Sequence, residues 1–105
     1  MHTQVRAMPL THLDDDYMIW RVFRRITFWM ADDKGGPVRC SVSNEALLTH
    51  AKRVRLEGTE VSKIFESHRP IIERVASDAY DAGILDEEGR IPVTVDALER
   101  ASRSA

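Results

Sequence analysis

The feature that most constrains the fold is a pair of short stretches in which apolar residues recur at every second position. They are ITFWM at 26–30 and VRCSV at 38–42, and a period of two is typical of strands with one buried face. Gly35 and Gly36 between them can take positive φ at little steric cost, so they predict a turn. Ser43 is then a good helix N-cap. The sequence therefore predicts a β-hairpin that leads directly into an α-helix.

The segments on either side of this hairpin carry weaker patterns. Residues 17–23 (YMIWRVF) are predicted to be extended, although apolar side chains at both odd and even positions leave a buried strand or a short helix open. The helix after Ser43 is predicted to run to about residue 52. The spacing of its Leu47, Leu48 and Ala51 predicts that these three side chains face the core.

A longer helix is predicted by one apolar stripe, for which Thr59 is the N-cap candidate. Its members recur at helical spacing and are Val61, Ile64, Phe65, His68, Ile72, Val75, Ala76 and Ala79. Pro70 disturbs such a helix because it lacks a backbone N–H and its ring clashes with the preceding turn. The stripe nevertheless keeps its phase across Pro70, which a loop between two helices would normally destroy. We expect one kinked helix over about 60–81 that ends near Gly83, with two abutting helices as the alternative.

The C-terminal part predicts a third strand and a short helix. IPVTV at 91–95 is strand-like, and Pro92 favours an edge position because it cannot donate a ladder hydrogen bond. Asp96 can cap a helix over 97–101. Together these elements predict a single small α+β domain. The predicted organisation is a flexible N-terminal arm, this domain and a frayed tail, over residues 1–13, 14–101 and 102–105.

The composition limits the class of protein. A chain of 105 residues with 43% hydrophobic and 30% charged residues is typical of one small globular domain. No apolar run approaches the roughly 20 residues of a membrane-spanning helix, and the first residues contain no apolar block of a secretory signal. The single cysteine cannot form an internal disulfide. These observations predict a cytoplasmic protein without membrane association.

Three segments resemble the bacterial domain of unknown function 1488 family. They are ITFWMADDKGGPVRCSVSNEAL, FESHRPIIERVASDAYDAG and IPVTVDAL, and they fall within residues 17–98. The resemblance implies a small α+β domain from a bacterium. It implies no activity and no catalytic residues, because the family has none assigned. Pro70 within the second helix departs from the family pattern and leaves the continuity of that helix open.

No residue pattern predicts a catalytic, cofactor or metal site. Cys40 is the only thiol, and it lies between Val38 and Val42 on the apolar side of a predicted strand, where cysteine usually acts as a small hydrophobe. His50 and His68 are candidate bases, but their spacing places neither beside Cys40. Cys40, His50 and His68 also match no close-paired metal-ligand motif. We therefore predict no cofactor, and an enzyme is the least favoured function class.

A basic cluster formed by Lys52, Arg53 and Arg55 is the candidate anion-binding site. Arg24 and Arg25 are its candidate neighbours. Cations at the end of a helix are commonly only a solvated surface that complements the helix dipole, whereas a functional cluster would contact nucleic-acid phosphates. The net charge of −2 and pI of about 6.1 are far from those of a typical nucleic-acid-binding domain. A weak nucleic-acid-associated accessory protein is therefore the alternative function.

Trp20, Phe23 and Trp29 form the candidate interaction surface. A small two-layer domain covers one face of its sheet with helices, so a bulky aromatic side chain on the other face needs a different cover. Either the N-terminal segment folds over it, or a partner protein or a second copy does. The leading prediction is a non-enzymatic interaction or adaptor domain that self-associates, as a homodimer, or binds another protein.

Overall fold

The structure, a computed structural model, describes residues 9–53 and 60–104 without the side chains of Arg53 and Ser104. It is an α+β domain, as predicted, with four strands and three helices in the described ranges. The elements are β1 (Thr11–Trp20), β2 (Arg25–Ala31), β3 (Pro37–Ser43), α1 (Asn44–Arg53), α2 (Val61–Asp81), β4 (Ile91–Val93) and α3 (Val95–Ser104).

The strands form one sheet in the order β1-β2-β3-β4. β1, β2 and β3 are antiparallel neighbours, and β4 pairs in parallel with β3 after the chain has passed through α1 and α2. The predicted hairpin is confirmed: Phe28 lies opposite Cys40, and the N–H of Asp32 donates to the carbonyl of Gly36 at 2.9 Å across the turn. Gly35 has a φ of +80°, which is why a glycine suits this position.

One face of the sheet supplies the core, and we call it the core face. Its side chains are those of Ile26, Phe28, Met30, Cys40, Val42, Ile91 and Val93, all of which are buried. The helices cover this face, and the ring of Phe28 lies 5.2 Å from that of Phe65 in α2. The period of two in β2 and β3 is therefore a consequence of one-sided burial.

The cap predicted for α1 is confirmed. The N–H of Ala46 donates to the Ser43 Oγ at 3.0 Å, which satisfies one of the free donors at the helix start. Leu47 and Ala51 are buried as predicted. The prediction for Leu48 is wrong, since its side chain is 51% exposed. The buried side of this short helix includes fewer positions than its apolar residues would suggest.

α2 is the single kinked helix that the continuous stripe predicted. The kink lies at His68, whose φ of −112° and ψ of 16° are not helical, two residues before Pro70. Ile64 and Phe65 before the kink are buried, and so are Ile72 and Val75 after it. Glu60 is the N-cap residue and makes no side-chain cap, while Thr59 lies outside the described residues. At the other end, Gly83 has a φ of +74° and follows the helix as predicted.

The folded part extends further than the sequence pattern indicates at both ends. Leu10 is buried and its N–H donates to the Ser77 Oγ at 3.0 Å, so part of the predicted arm is tied to α2 before β1 begins. β4 is shorter than predicted because Thr94, not Asp96, caps α3: its Oγ1 accepts the N–H of Ala97 at 3.2 Å. α3 then continues to Ser104, through most of the predicted tail.

Phe65→Ala and Ile72→Ala should each lower the free energy of unfolding by about 3–4 kcal/mol, because both side chains are fully buried against the sheet and truncation leaves a cavity. Urea denaturation followed by circular dichroism measures the change. Ile84→Ala is the control, since Ile84 is half exposed and should change the stability by well under about 1 kcal/mol. A loss equal to that of the control at both positions would contradict this core.

Candidate functional site

The second face of the sheet is free of helices among the described residues, and we call it the open face. The register places Met18 opposite Thr27, Trp20 opposite Arg25, and Trp29 opposite Arg39. Residues that lie opposite each other project to the same side of a sheet. The open face includes Met18, Trp20, Arg25, Thr27, Trp29 and Arg39, with Phe23 beside them in the turn after β1.

The open face brings together the three aromatic residues predicted from the sequence as an interaction surface. Trp20, Phe23 and Trp29 line one shallow concavity of about 310 Å³. The rings of Trp20 and Phe23 meet edge to face, with centroids 6.2 Å apart. The guanidinium of Arg25 lies 4.8 Å from the centre of the Phe23 ring. Trp20 is 39% exposed and Phe23 59% exposed, so this aromatic cluster is open to a partner.

Arginine side chains form the rim of this concavity. The Nη2 of Arg39 donates to the carbonyl of Glu88 at 2.9 Å, and the Glu88 carboxylate lies 3.3 Å from Arg90 and 3.8 Å from Arg25. Arg90 also donates to Asp86 at 2.9 Å. Burial raises the pKa of Asp86, but the hydrogen bonds from the Arg90 and Glu88 backbone and from the Arg90 side chain outweigh it and lower the pKa overall. The rim therefore has more positive than negative side chains.

Two buried polar atoms on the open face have no hydrogen-bond partner in the described part of the chain. They are the Oγ1 of Thr27, whose residue is 3% exposed, and the Nε of Arg25. Unpaired buried polar atoms cost free energy and are uncommon in folded domains. Both atoms belong to β2, beneath the aromatic cluster, so the buried polar atoms of the described sheet that lack a hydrogen-bond partner are concentrated here.

β1 is irregular and strongly exposed. His12 lies opposite Met30 and Tyr17 opposite Phe28, so four residues bulge out where β2 has only Trp29. Three of the four are acidic, and we call Asp14–Asp16 the acidic bulge. The exposed large apolar side chains of β1 and the following turn are Leu13, Met18, Ile19, Trp20, Val22 and Phe23. Apolar exposure of the described chain is concentrated here.

A polar cluster that the sequence analysis missed ties β1 to α2. Arg69 is only 7% exposed, donates through Nε to Glu73 at 2.9 Å and through Nη2 to the carbonyl of Asp16 at 3.2 Å. The His12 Nδ1 lies 2.7 Å from Glu73, and Tyr17 donates to Glu66. Helical spacing could have predicted part of this cluster, because residues three and four apart lie on one helix face, as Glu66, Arg69 and Glu73 do.

Cys40 is enclosed in the core. Its Sγ donates to the carbonyl of Val38 at 3.6 Å, and burial raises the pKa of the thiol to about 12. A thiol with that pKa carries almost no thiolate near neutral pH. Cys40 thus has the properties of the small buried hydrophobe that the sequence indicated.

The structure brings His50 and His68 together although they are far apart in sequence. The Nε2 of His50 lies 3.1 Å from the Nδ1 of His68, and the Ser102 Oγ lies 3.3 Å from the other ring nitrogen of His50. This chain of polar atoms joins α1, α2 and α3 at the kink. No group of three or more potential metal ligands occurs within residues 9–53 and 60–104.

The predicted basic cluster can be placed only in part. Lys52 is exposed in the last turn of α1, while the Arg53 side chain and Arg55 lie outside the described residues. The carbonyl of Arg24 accepts the N–H of Asn44 at the first residue of α1. Because eight residues of helix rise by about 12 Å, Arg24 lies at the opposite end of α1 and is not a neighbour of Lys52. No helix of the described chain is long and apolar enough to cross a membrane.

Comparison with known proteins identifies the class of this domain. The model of the family described as protein of unknown function (DUF1488) matches residues 22–93, so the chain belongs to that family. It is similar in structure to a DUF1488 protein of unknown function from Shewanella loihica PV-4, with a TM-score of 0.61, 17% sequence identity, and coverage of 87% of this chain and 96% of that one. At this identity the likeness shows the fold alone. No curated protein matches the chain.

The hydrogen bond with Glu73 raises the pKa of His12 above 6.5, against an opposing effect of burial. The folded-state pKa is thus above the unfolded one, so His12 contributes stability that is fully present below about pH 6.5 and is lost as pH rises through the raised pKa. We expect NMR titration of His12 to give a midpoint above 6.5, lowered by Glu73→Gln. Asp96→Asn should leave the midpoint unchanged. A native midpoint at or below that of an unfolded peptide would contradict this contact.

Proposed function

We propose that this protein is a non-enzymatic interaction domain that self-associates, and that the open face and the adjoining strand β1 form its binding surface. The observation that carries the proposal is the clustering of Trp20, Phe23 and Trp29 in one concavity beside an exposed edge strand. Tryptophan, arginine and tyrosine are the side chains most often found as energetic centres of protein interfaces. A surface of this composition is therefore suited to binding protein.

The distribution of exposed apolar side chains supports the same surface. The rings of Trp20 and Phe23 contact each other, and Val22, which lies between them in the sequence, is 87% exposed. Isolated exposed apolar residues are ordinary, whereas a contiguous group marks an interaction site. A second copy is the simplest occupant, because symmetric dimers are the commonest assemblies of soluble proteins.

Trp20→Ala and Trp29→Ala should each weaken the dimer by about 2 kcal/mol or more, because a central aromatic anchor contributes roughly that much to binding. Sedimentation equilibrium over a range of protein concentrations measures the monomer–dimer constant. Ile84→Ala is the matched control, since it removes an exposed apolar side chain beside the groove between α2 and α3. Circular dichroism and thermal unfolding verify that each variant is folded.

A monomeric mass at high micromolar concentration would contradict self-association through this surface. So would a dimer that is weakened as much by Ile84→Ala as by the two tryptophan variants. Equal weakening would mean that the contact lies elsewhere or that the effect acts through stability.

A second candidate is weak association with nucleic acid. The sequence cluster of Lys52, Arg53 and Arg55 supports it. A separate feature at the other end of α1 also supports it, because the guanidinium of Arg25 lies over the Phe23 ring, and cationic and stacking side chains together suit single strands. This function would be that of an accessory protein rather than a specific reader of base sequence.

If this cluster contacts phosphates, binding of a fluorescent oligonucleotide should weaken steeply as salt rises. Lys52→Gln should reduce the slope of log K against log salt by about one unit, because one fewer phosphate is neutralised. Lys63→Gln, which removes an exposed lysine from the start of α2, is the control. Absence of binding at low salt to both a duplex and a single strand would eliminate this candidate.

A further inference from the structure

β1 is the longer of the two edges of the sheet. In the described chain it pairs only with β2, so its outer backbone N–H and C=O groups have no strand partner. The other edge, β4, is three residues long and contains Pro92, which removes a donor. An exposed apolar edge strand is a ready template for pairing with another chain.

Both faces of β1 are apolar near its C-terminal end. Met18 and Trp20 project on the open face, and Ile19 projects on the opposite side, where it pairs with Ile26. All three side chains are at least 39% exposed. A partner docked only on the open face would not contact Ile19, whereas a strand added at the edge brings its own side chains beside those of β1 on both faces.

The charges along β1 are strongly asymmetric. The acidic bulge, Asp14–Asp16, lies in the middle of the strand just before the regular stretch Tyr17–Trp20, and the turn that follows this stretch contains Arg21 and Arg24. The side chain of Asp15 is 98% exposed. Two parallel β1 strands would place like charges together, whereas two antiparallel strands place each acidic bulge beside the arginines of the other copy.

We propose that two copies of this chain join β1 to β1 in an antiparallel arrangement, with a two-fold axis at Ile19 and each acidic bulge against the Arg21–Arg24 turn of the other copy. The proposal rests on the self-association described above and adds its direction, register and charge pairing. The product is a continuous eight-stranded sheet in which the open faces of both copies lie side by side.

The register follows from which residues share a face. Opposite residues in an antiparallel pair project to the same side of the sheet. When β1 pairs with β1 of a second copy, each opposite pair must therefore join two odd-numbered or two even-numbered residues. An axis at Ile19 sets Ile19 against itself and Met18 against Trp20, which are apolar contacts. An axis at Met18 would instead set Trp20 against Asp16, placing a carboxylate beside an indole. The first register is therefore favoured.

The acidic bulge limits the pairing without preventing it. Arg69 holds the carbonyl of Asp16, so the bulge is anchored to α2 and its carboxylates remain outside the sheet. The regular part of β1 that is available for pairing is Tyr17–Trp20, which begins just after the bulge. A bulge with like charges disfavours every alignment that brings two bulges together, which are the in-register parallel pairing and the antiparallel registers centred on the bulge.

Charge reversal tests the direction of pairing. Asp14→Arg and Arg24→Asp should each weaken the dimer at least tenfold at low salt, and the double variant should return to within about threefold of the natural chain. Aspartate suits position 24 because the φ there is +52°. Asp78→Arg, on the exposed side of α2, is the control. Raising the salt from 50 to 500 mM should weaken the natural dimer severalfold, since exposed charges are screened.

Cysteine crosslinking tests the register. In the presence of oxidised glutathione, Ile19→Cys should form a disulfide-linked dimer, because opposite Cα atoms in such a pair lie about 4.5–5.5 Å apart. Met18→Cys should crosslink much less, since the two copies of residue 18 are then offset by more than about 7 Å. The native thiol of Cys40 is buried and has a raised pKa, so it does not interfere.

The outcomes separate the two proposals. If the natural chain is monomeric, both self-association and the β1 pairing are overturned. If it forms a dimer that the tryptophan variants weaken but that charge reversal and Ile19→Cys do not affect, self-association stands and the pairing is overturned. Rescue by the double charge variant together with crosslinking at residue 19 supports the pairing.

Discussion

The contact between Phe28 on the sheet and Phe65 on α2 organises this domain. It places the long helix across the core face, and the guanidinium of Arg69 lies 5.1 Å from the Phe65 ring and 5.8 Å from the Phe28 ring. A charge buried at this position is tolerable only when it is hydrogen bonded, and Arg69 bonds both to Glu73 and to β1. The same helix thus carries the core and fastens the edge strand.

The position of α2 also determines which surfaces remain available. α1 and α2 pack against the core face and α3 packs against these two helices, so Trp20 and Trp29 are left on a face that no described helix covers. A sheet of four strands has two edges, and the acidic bulge and Pro92 modify them in different ways. The bulge leaves Tyr17–Trp20 of β1 available for strand pairing, whereas Pro92 lies in β4, a strand of only three residues. Self-association through β1 and the open face is consistent with the uncovered face of the sheet and with the difference between its two edges.

The chemically reactive side chains contribute to structure in this domain. Cys40 is enclosed with a raised pKa, and His50 and His68 form a polar chain at the junction of the helices. The kink in α2 lies at His68, so this chain supplies polar contacts where the regular helix pattern is interrupted. Both placements therefore contribute to the packing of the core and of the helix junction.

The sequence by itself determined the hairpin, the cap at Ser43 and the apolar stripe of α2. These features depend on local rules: alternation of burial along a strand, a side-chain oxygen at a helix start, and a stripe that keeps its phase across Pro70. It also pointed to Trp20, Phe23 and Trp29, because a small two-layer domain covers one face of its sheet with helices and leaves bulky aromatic residues on the other face to a different cover.

Only the tertiary structure decided what depends on contacts between distant segments. Residues 11–16 have a mixed polar pattern and become part of β1 because β2 pairs with Thr11 and His12 and Arg69 anchors the bulge that follows. Leu48 is half exposed because, within residues 9–53 and 60–104, no helix or strand buries its side of α1, which periodicity within one helix cannot show. The meeting of His50 with His68, and of arginines with aromatic residues on the open face, likewise results from long-range pairing. Local sequence patterns describe the faces of single elements, whereas the assembly of those elements determines which faces are covered.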